Sequence, residues 1–210
     1  MEATATFDAH LGPDHAHRIA KNGMKIFLFS EAMLFAGLIA GYMILRAGVP
    51  AWPPADAPSY RLFPLHFMQI LMICNTVLLF SSSFTYHMAE VRMKKGRSGI
   101  LWLLFTVLLG SVFLSLQAYE WMHLKHEGLW VNTYGVFGSS FFVLTGFHGL
   151  HVFIGVMLIV VAALRAALFK LRKAVSPSAV YHHNYEECVG LYWHFVDVVW
   201  IFLFLVLYVL

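Results

Sequence analysis

The sequence predicts an all-α, polytopic membrane protein with five transmembrane helices. Hydrophobic residues form 60% of the 210 residues and charged residues only 12%. A soluble domain usually carries about 45–50% apolar and roughly 25% charged residues. The apolar residues also fall in long blocks, and no short alternating segments typical of a membrane β-barrel are seen. We therefore expect most of the chain to lie in lipid. We expect it to be helical there, because a helix forms hydrogen bonds between its own backbone groups.

Five apolar blocks are long enough to cross the hydrocarbon core, which takes about 20 residues of helix. Four prolines between 47 and 63 exclude a helix between the first two blocks. The polar residues 1–23 show no cleavable signal peptide, so we expect a cytoplasmic tail followed by one transmembrane domain, 24–210. The predicted spans are 24–45, 64–89, 99–121, 136–164 and 188–210.

The basic residues predict the orientation of the bundle. If the five spans alternate in direction, eleven of the 14 basic residues fall on one side and three on the other. Because basic residues favour the cytoplasmic side, the N-terminus is expected in the cytoplasm and the C-terminus outside it. The smaller group comprises Arg46, Arg61 and Lys125.

Glu31 is the most deeply placed carboxylate of the first span. It lies seven residues past the start of that span, about 10 Å along a helix. An ionisable residue at such depth normally faces protein or a polar cavity. One interpretation is a protonated, hydrogen-bonded packing residue, and the other is a carboxylate that exchanges protons or faces a lipid cleft.

His148 and His151 are three residues apart in the fourth span and so share a helix face. The simplest interpretation is a face that forms hydrogen bonds between helices, with flanking glycines allowing close helix contact. The alternative is haem ligation, since His148 or His151 together with His194 could supply two axial ligands. The two cysteines, Cys74 and Cys188, form neither a disulfide framework nor a zinc pattern.

His194 and Asp197 are likewise three residues apart, in the fifth span, and predict a buried pair in which the aspartate accepts an imidazole N–H. Glu120 lies near the outer end of the third span, where we expect water to reach it. Glu186 and Glu187 lie at the inner mouth of the fifth span. No pattern in the sequence predicts nucleic-acid binding.

Five stretches of the sequence carry a more specific signal than hydropathy does. The two longest are YGVFGSSFFVLTGFHGLHVFIG at 134–155 and YWHFVDVVW at 192–200. Three weaker ones are FSEAMLFAG at 29–37, LLFSSSFTYHMA at 78–89 and LQAYEW at 116–121. Together, and in this order and spacing, they resemble subunit III of the haem–copper cytochrome oxidases, specifically a short bacterial form. The resemblance extends over essentially 24–210.

This resemblance implies the last five helices of a seven-helix fold built around a lipid-filled cleft, with the first two helices missing here. It implies that the chain carries no haem, copper or catalytic centre, because those belong to the partner subunits that reduce dioxygen and pump protons. The chain would pack on catalytic subunit I, in a complex that also contains subunit II and other oxidase subunits. It would bind phospholipid and support proton uptake and stability during turnover.

The resemblance also assigns expected roles to single residues. Glu31 matches a carbodiimide-reactive glutamate of the family that faces lipid, and Arg165 matches an arginine near a lipid headgroup. A buried polar network is implied for the other matching residues, whereas Glu186 has no expected role. That network comprises His148, His151, Glu187, His194, Asp197 and, in the third span, Glu120.

Three functions therefore remain open from the sequence. The first is subunit III of a respiratory terminal oxidase, with cytochrome c favoured over quinol as electron donor. The second is an accessory protein of nitric oxide reduction, which belongs to the same family. The third, of another class, is a membrane cytochrome that carries its own haem b.

Overall fold

The computed structural model describes residues 13–54, 57, 67–175 and 184–209. This part of the chain forms five helices, named α1 to α5 in chain order, and no strands. All five are long and apolar enough to cross a membrane, which confirms the predicted fold class of a multi-pass helical bundle. The helices are α1, Pro13–Ala47; α2, Phe67–Lys94; α3, Ile100–His126; α4, Val136–Val175; and α5, Asn184–Phe204, which continues as a π-helical turn, Leu205–Val209.

The helix ends differ from the predicted spans. The first helix begins at Pro13 rather than at residue 24, and the fourth continues to Val175 rather than ending at 164. Hydropathy identifies only the residues that lie within the hydrocarbon core. The backbone hydrogen bonds of a helix can continue through polar residues beyond that core. The connection predicted at 165–187 is accordingly helical at both of its ends, and 176–183 lie outside the described residues.

The proline-containing connection is only partly described. Residues 48–54 form turns and bends, as the prolines predict, whereas 55–56 and 58–66 lie outside the described residues. Trp52 of this segment donates from its indole nitrogen to the hydroxyl of Tyr42 at 2.9 Å, which ties the loop back to α1.

The last helix, α5, is the most buried of the five, and it contacts α1, α2 and α4. Its two tryptophans, Trp193 and Trp200, are fully buried. Two glycines make room for Trp193, because a Cβ at Gly110 or Gly155 would lie within 2.9 Å of its ring atoms. Helices in lipid pack through such small residues, and here they bring α3 and α4 onto α5.

Large apolar side chains cover the outside of the bundle. Ile26, Ile44 and Leu101 are each more than 70% exposed, and every helix contributes similar residues. Such a surface suits lipid or a neighbouring membrane subunit rather than water.

Candidate functional site

Glu31 and His151 form an ion pair or hydrogen bond between α1 and α4. Glu31 Oε2 lies 3.0 Å from His151 Nε2, and the two side chains are 20% and 10% exposed. The other ring nitrogen, Nδ1, lies 2.6 Å from the backbone oxygen of Phe147. A carbonyl oxygen only accepts, so Nδ1 carries a proton. The contact between Nε2 and Glu31 therefore holds one further proton, which can reside on either partner.

Aromatic rings enclose this pair on its protein side. The ring of Phe35 lies 4.9 Å from that of His151, and the ring of Tyr192 stacks on His151 at 6.5 Å. The Tyr192 hydroxyl also donates to the backbone oxygen of His151 at 3.1 Å. Three helices, α1, α4 and α5, thus position the imidazole.

His194 and Asp197 are connected through Ser83 of α2. Ser83 Oγ lies 2.9 Å from His194 Nδ1, and its hydroxyl donates to Asp197 Oδ2. With its proton directed at the carboxylate, the hydroxyl accepts from the imidazole, so the order is His194 to Ser83 to Asp197. The sequence predicted a direct hydrogen bond between His194 and Asp197. In the described residues, Ser83 bridges them instead, and the bridge joins α5 to α2.

His148 has a different environment from His151 although both lie on one helix face. It is buried, its ring stacks on Trp200 at 4.9 Å, and the edges of Phe35 and Phe113 approach it. Within the described part of the chain, neither of its ring nitrogens has a hydrogen-bond partner. Of the two histidines on the predicted hydrogen-bonding face, His151 therefore bonds to a neighbouring helix, whereas His148 forms no such bond to a described residue.

Glu120 is buried, contrary to the expectation that water reaches it. Gln117 Nε2 donates to its Oε2 at 2.7 Å, and the hydroxyl of Tyr208 donates to Oε1 at 2.9 Å. The expectation failed because the π-helical turn that ends α5 packs over this end of α3, which hydropathy does not reveal.

Glu187 belongs to a charged cluster at the start of α5 rather than to the buried histidines. Lys21 of α1 and Lys94 of α2 lie 3.3 and 3.0 Å from its carboxylate oxygens. Lys94 also pairs with Glu90 at 2.8 Å. The cluster therefore ties three helices together at the end of the bundle that is rich in basic residues.

Arg165 lies beside Glu186, the residue for which the resemblance implied no role. Arg165 Nε is 3.7 Å from Glu186 Oε1, and the guanidinium lies 4.8 Å above the ring of Tyr185. Glu186 is buried, and the Tyr86 hydroxyl donates to its backbone oxygen at 2.6 Å. The arginine side chain remains 49% exposed.

The expected single polar network is thus divided into separate groups, and sequence reasoning missed several of their members. Ser83, Gln117, Tyr208 and Lys21 each complete one group. Gln117 could have been found from its spacing of three residues from Glu120. Across the described residues, no three His, Cys, Asp or Glu side chains converge as metal ligands.

Comparison with known proteins identifies the family. The family described as cytochrome c oxidase subunit III matches residues 4–210. Cytochrome c oxidase subunit 3 of Thermostichus vulcanus is 40% identical, over 94% of this chain and 92% of the relative. The probable quinol oxidase subunit 3 of Staphylococcus saprophyticus is 37% identical, over 93% and 91%.

Longer members of the family are similar as well. Cytochrome c oxidase subunit 3 of Danio rerio is 36% identical over 97% of this chain but over only 74% of its own length. The range matched by the family, 4–210, includes the helices that carry Glu31, His151, His194 and Asp197. The chain belongs to the cytochrome c oxidase subunit III family.

Proposed function

We propose that this chain is the non-catalytic subunit III of a haem–copper terminal oxidase that takes electrons from cytochrome c. Membership of the family implies a complex with other oxidase subunits. Within it, we assign the chain to the surface of catalytic subunit I, with subunit II in the same complex, in a bacterial plasma membrane. The distribution of basic residues supports a cytoplasmic N-terminus.

The contact between Glu31 and His151 carries the proposed role in proton uptake. Its two partners share one proton, as the hydrogen bond from Nδ1 to Phe147 requires. The carboxylate is one-fifth exposed, on the face between α1 and α4. A group that is partly exposed and can pass a proton to its partner suits transient proton storage beside the catalytic subunit.

Phospholipid binding is the second part of the proposal, and Arg165 supports it. Half of this side chain is accessible, ten residues before the end of α4, and a guanidinium can bind a phosphate through two parallel hydrogen bonds. The ion pair with Glu186 and the ring of Tyr185 position the guanidinium. Exposed apolar residues of α1, such as Phe29, would lie against the acyl chains.

The experiment that tests the proton role uses the complete oxidase complex. Glu31→Gln keeps a hydrogen-bonding side chain next to His151 and removes the ionisable proton. Glu127→Gln is the matched control, because Glu127 also pairs with a histidine, His123, at 3.1 Å but lies exposed at the end of α3. We expect slower proton uptake during dioxygen reduction for Glu31→Gln alone, and equal rates in both variants would contradict the role.

A quinol oxidase subunit is the second candidate, favoured by the similarity to the Staphylococcus saprophyticus protein. The purified complex distinguishes the two, since it would be reduced by cytochrome c in one case and by a quinol in the other. The nitric-oxide-reductase alternative predicts a partner subunit without copper. The haem b alternative predicts a Soret band in the isolated chain.

A further inference from the structure

A basic pocket lies at the meeting point of α2, α3 and α4. Its volume is about 750 Å³, and its charged lining consists of Arg92, Arg97 and Lys170. The remaining lining residues are Ser98, Ile100, Leu101 and Trp102. None of the described residues of this lining carries a carboxylate, so three positive charges face one recess.

The turn between α2 and α3 builds this pocket. Gly96 has a φ of +68°, and its N–H donates to the Met93 oxygen at 2.9 Å. The N–H of Arg97 donates to the oxygen of Arg92, also at 2.9 Å. This pair of bonds is a Schellman motif, which reverses the chain after a helix. It places the two arginines side by side.

Close packing then fixes the start of α3. A Cβ at Gly99 would lie 2.7 Å from the backbone oxygen of Ala89, so the chain passes directly against α2. No side chain caps the N-terminus of α3. Free N–H groups at a helix start favour anions, and here they adjoin the arginines.

The three cations of the pocket form no ion pair with any described residue. Lys94, in the same turn region, pairs with Glu90 and Glu187. By contrast, no ion pair to Arg92, Arg97 or Lys170 is formed by any described residue, and the buried Nε of Arg92 has no hydrogen-bond partner there. The pocket therefore carries positive charge that is available to an external anion.

This pocket differs from the region around Arg165. Lys170 lies five residues after Arg165 on α4, which places the two side chains about 140° apart around the helix. Arg165 faces Glu186 of α5, whereas Lys170 faces the turn between α2 and α3. Because Arg165 and Lys170 point to different sides of α4, they cannot bind the same phosphate group.

We propose that the pocket binds the phosphate group of an anionic phospholipid. Arg92, Arg97 and Lys170 supply the charge, and the Ser98 hydroxyl can donate a hydrogen bond. Leu101, which is 71% exposed, and Ile100 continue the pocket toward the hydrocarbon, where acyl chains would lie. Trp102 suits the level of the headgroups. Basic pockets between membrane helices bind anionic headgroups through such positive charge.

The test uses the purified oxidase complex in detergent and a phosphatidylglycerol analogue with a photoreactive diazirine at the top of one acyl chain. The readout is the amount of lipid crosslinked to the peptide that contains Ile100 and Leu101. A phosphatidylcholine analogue serves as the uncharged comparison. The double variant Arg97→Gln/Lys170→Gln removes two exposed charges. Lys95→Gln is the matched control, because Lys95 lies in the same turn but outside the pocket.

We expect phosphatidylglycerol to label this peptide in the wild type and in Lys95→Gln, with little labelling by phosphatidylcholine. Each cation is expected to contribute about fivefold in affinity, so the double variant should lose about 25-fold in affinity. Added salt should reduce labelling of the wild type, which tests the proposal without any substitution. Equal labelling by both lipids, or undiminished labelling of the double variant, would overturn it. Binding of inorganic phosphate that the double variant loses, without any phosphatidylglycerol labelling, would overturn the lipid proposal and assign the pocket to free phosphate.

Discussion

His151 Nε2 lies 3.0 Å from Glu31 Oε2 and joins the fourth helix to the first. Because His151 Nδ1 is already protonated toward Phe147, this contact contains one shared proton. The two residues are 120 positions apart in the sequence. Their contact is therefore a property of the folded bundle, and it combines a structural bond with a titratable group.

Glu31→Gln is expected to leave assembly and haem content of the oxidase unchanged, because the amide can still hydrogen-bond to His151. Glu31→Leu removes that bond and should lower the free energy of unfolding by about 1–3 kcal/mol, the usual cost of an unsatisfied buried group. Thermal unfolding in detergent and the haem absorbance of the complex measure the two effects. Loss of haem or copper in Glu31→Gln would contradict the assigned role.

Asp197→Leu is expected to weaken association with the catalytic subunit. The substitution removes the acceptor of the Ser83 hydroxyl and disturbs the bond from Ser83 to His194. The expected destabilisation is about 1–3 kcal/mol. Asp197→Asn, which keeps an acceptor oxygen, is the control. Co-purification of the large subunit with each variant measures association, and normal recovery with Asp197→Leu would disprove the bridging role.

Gly155→Ala is expected to destabilise the bundle, because the added Cβ would lie 2.7 Å from two atoms of the Trp193 ring. Overpacking of this kind typically costs about 1–3 kcal/mol. Gly149→Ala, on the same helix, is the control, since no atom lies within 4 Å of its Cβ position. Unfolding temperatures of the two variants should therefore differ, and identical values would argue against tight packing of α4 on α5.

Tyr208→Phe is expected to destabilise the end of the bundle that contains Glu120 by about 1–3 kcal/mol, because it leaves one oxygen of this buried carboxyl group without its donor. Tyr119→Phe provides the comparison, since Tyr119 is exposed on the same helix as Glu120. The stability of each variant in detergent measures the difference. A Tyr208→Phe chain as stable as the wild type would show that this bond contributes nothing.

The number of spans was predictable, but their ends were not. Composition identifies the residues that prefer lipid, and each of the five blocks did become a helix. The helical start at Pro13 and the helical continuation to Val175 lie in polar sequence. There the backbone remains hydrogen-bonded outside the hydrocarbon core, and no hydropathy signal records it.

The polar residues were predictable as candidates, whereas their partners were not. Spacing correctly placed His148 and His151 on one face, yet one bonds to Glu31 and the other is enclosed by aromatic rings. Ser83 is one of three consecutive serines, and only the packing of α2 on α5 selects it. Partner choice depends on how the helices are rotated against each other, which local sequence does not encode.

The most direct measurement is affinity purification of the tagged chain from detergent-solubilised membranes, with haem and copper measured on each separated subunit. The account predicts that a large haem–copper subunit co-purifies and that all haem and copper remain with the partner subunits. A chain that elutes alone and carries stoichiometric haem would contradict it.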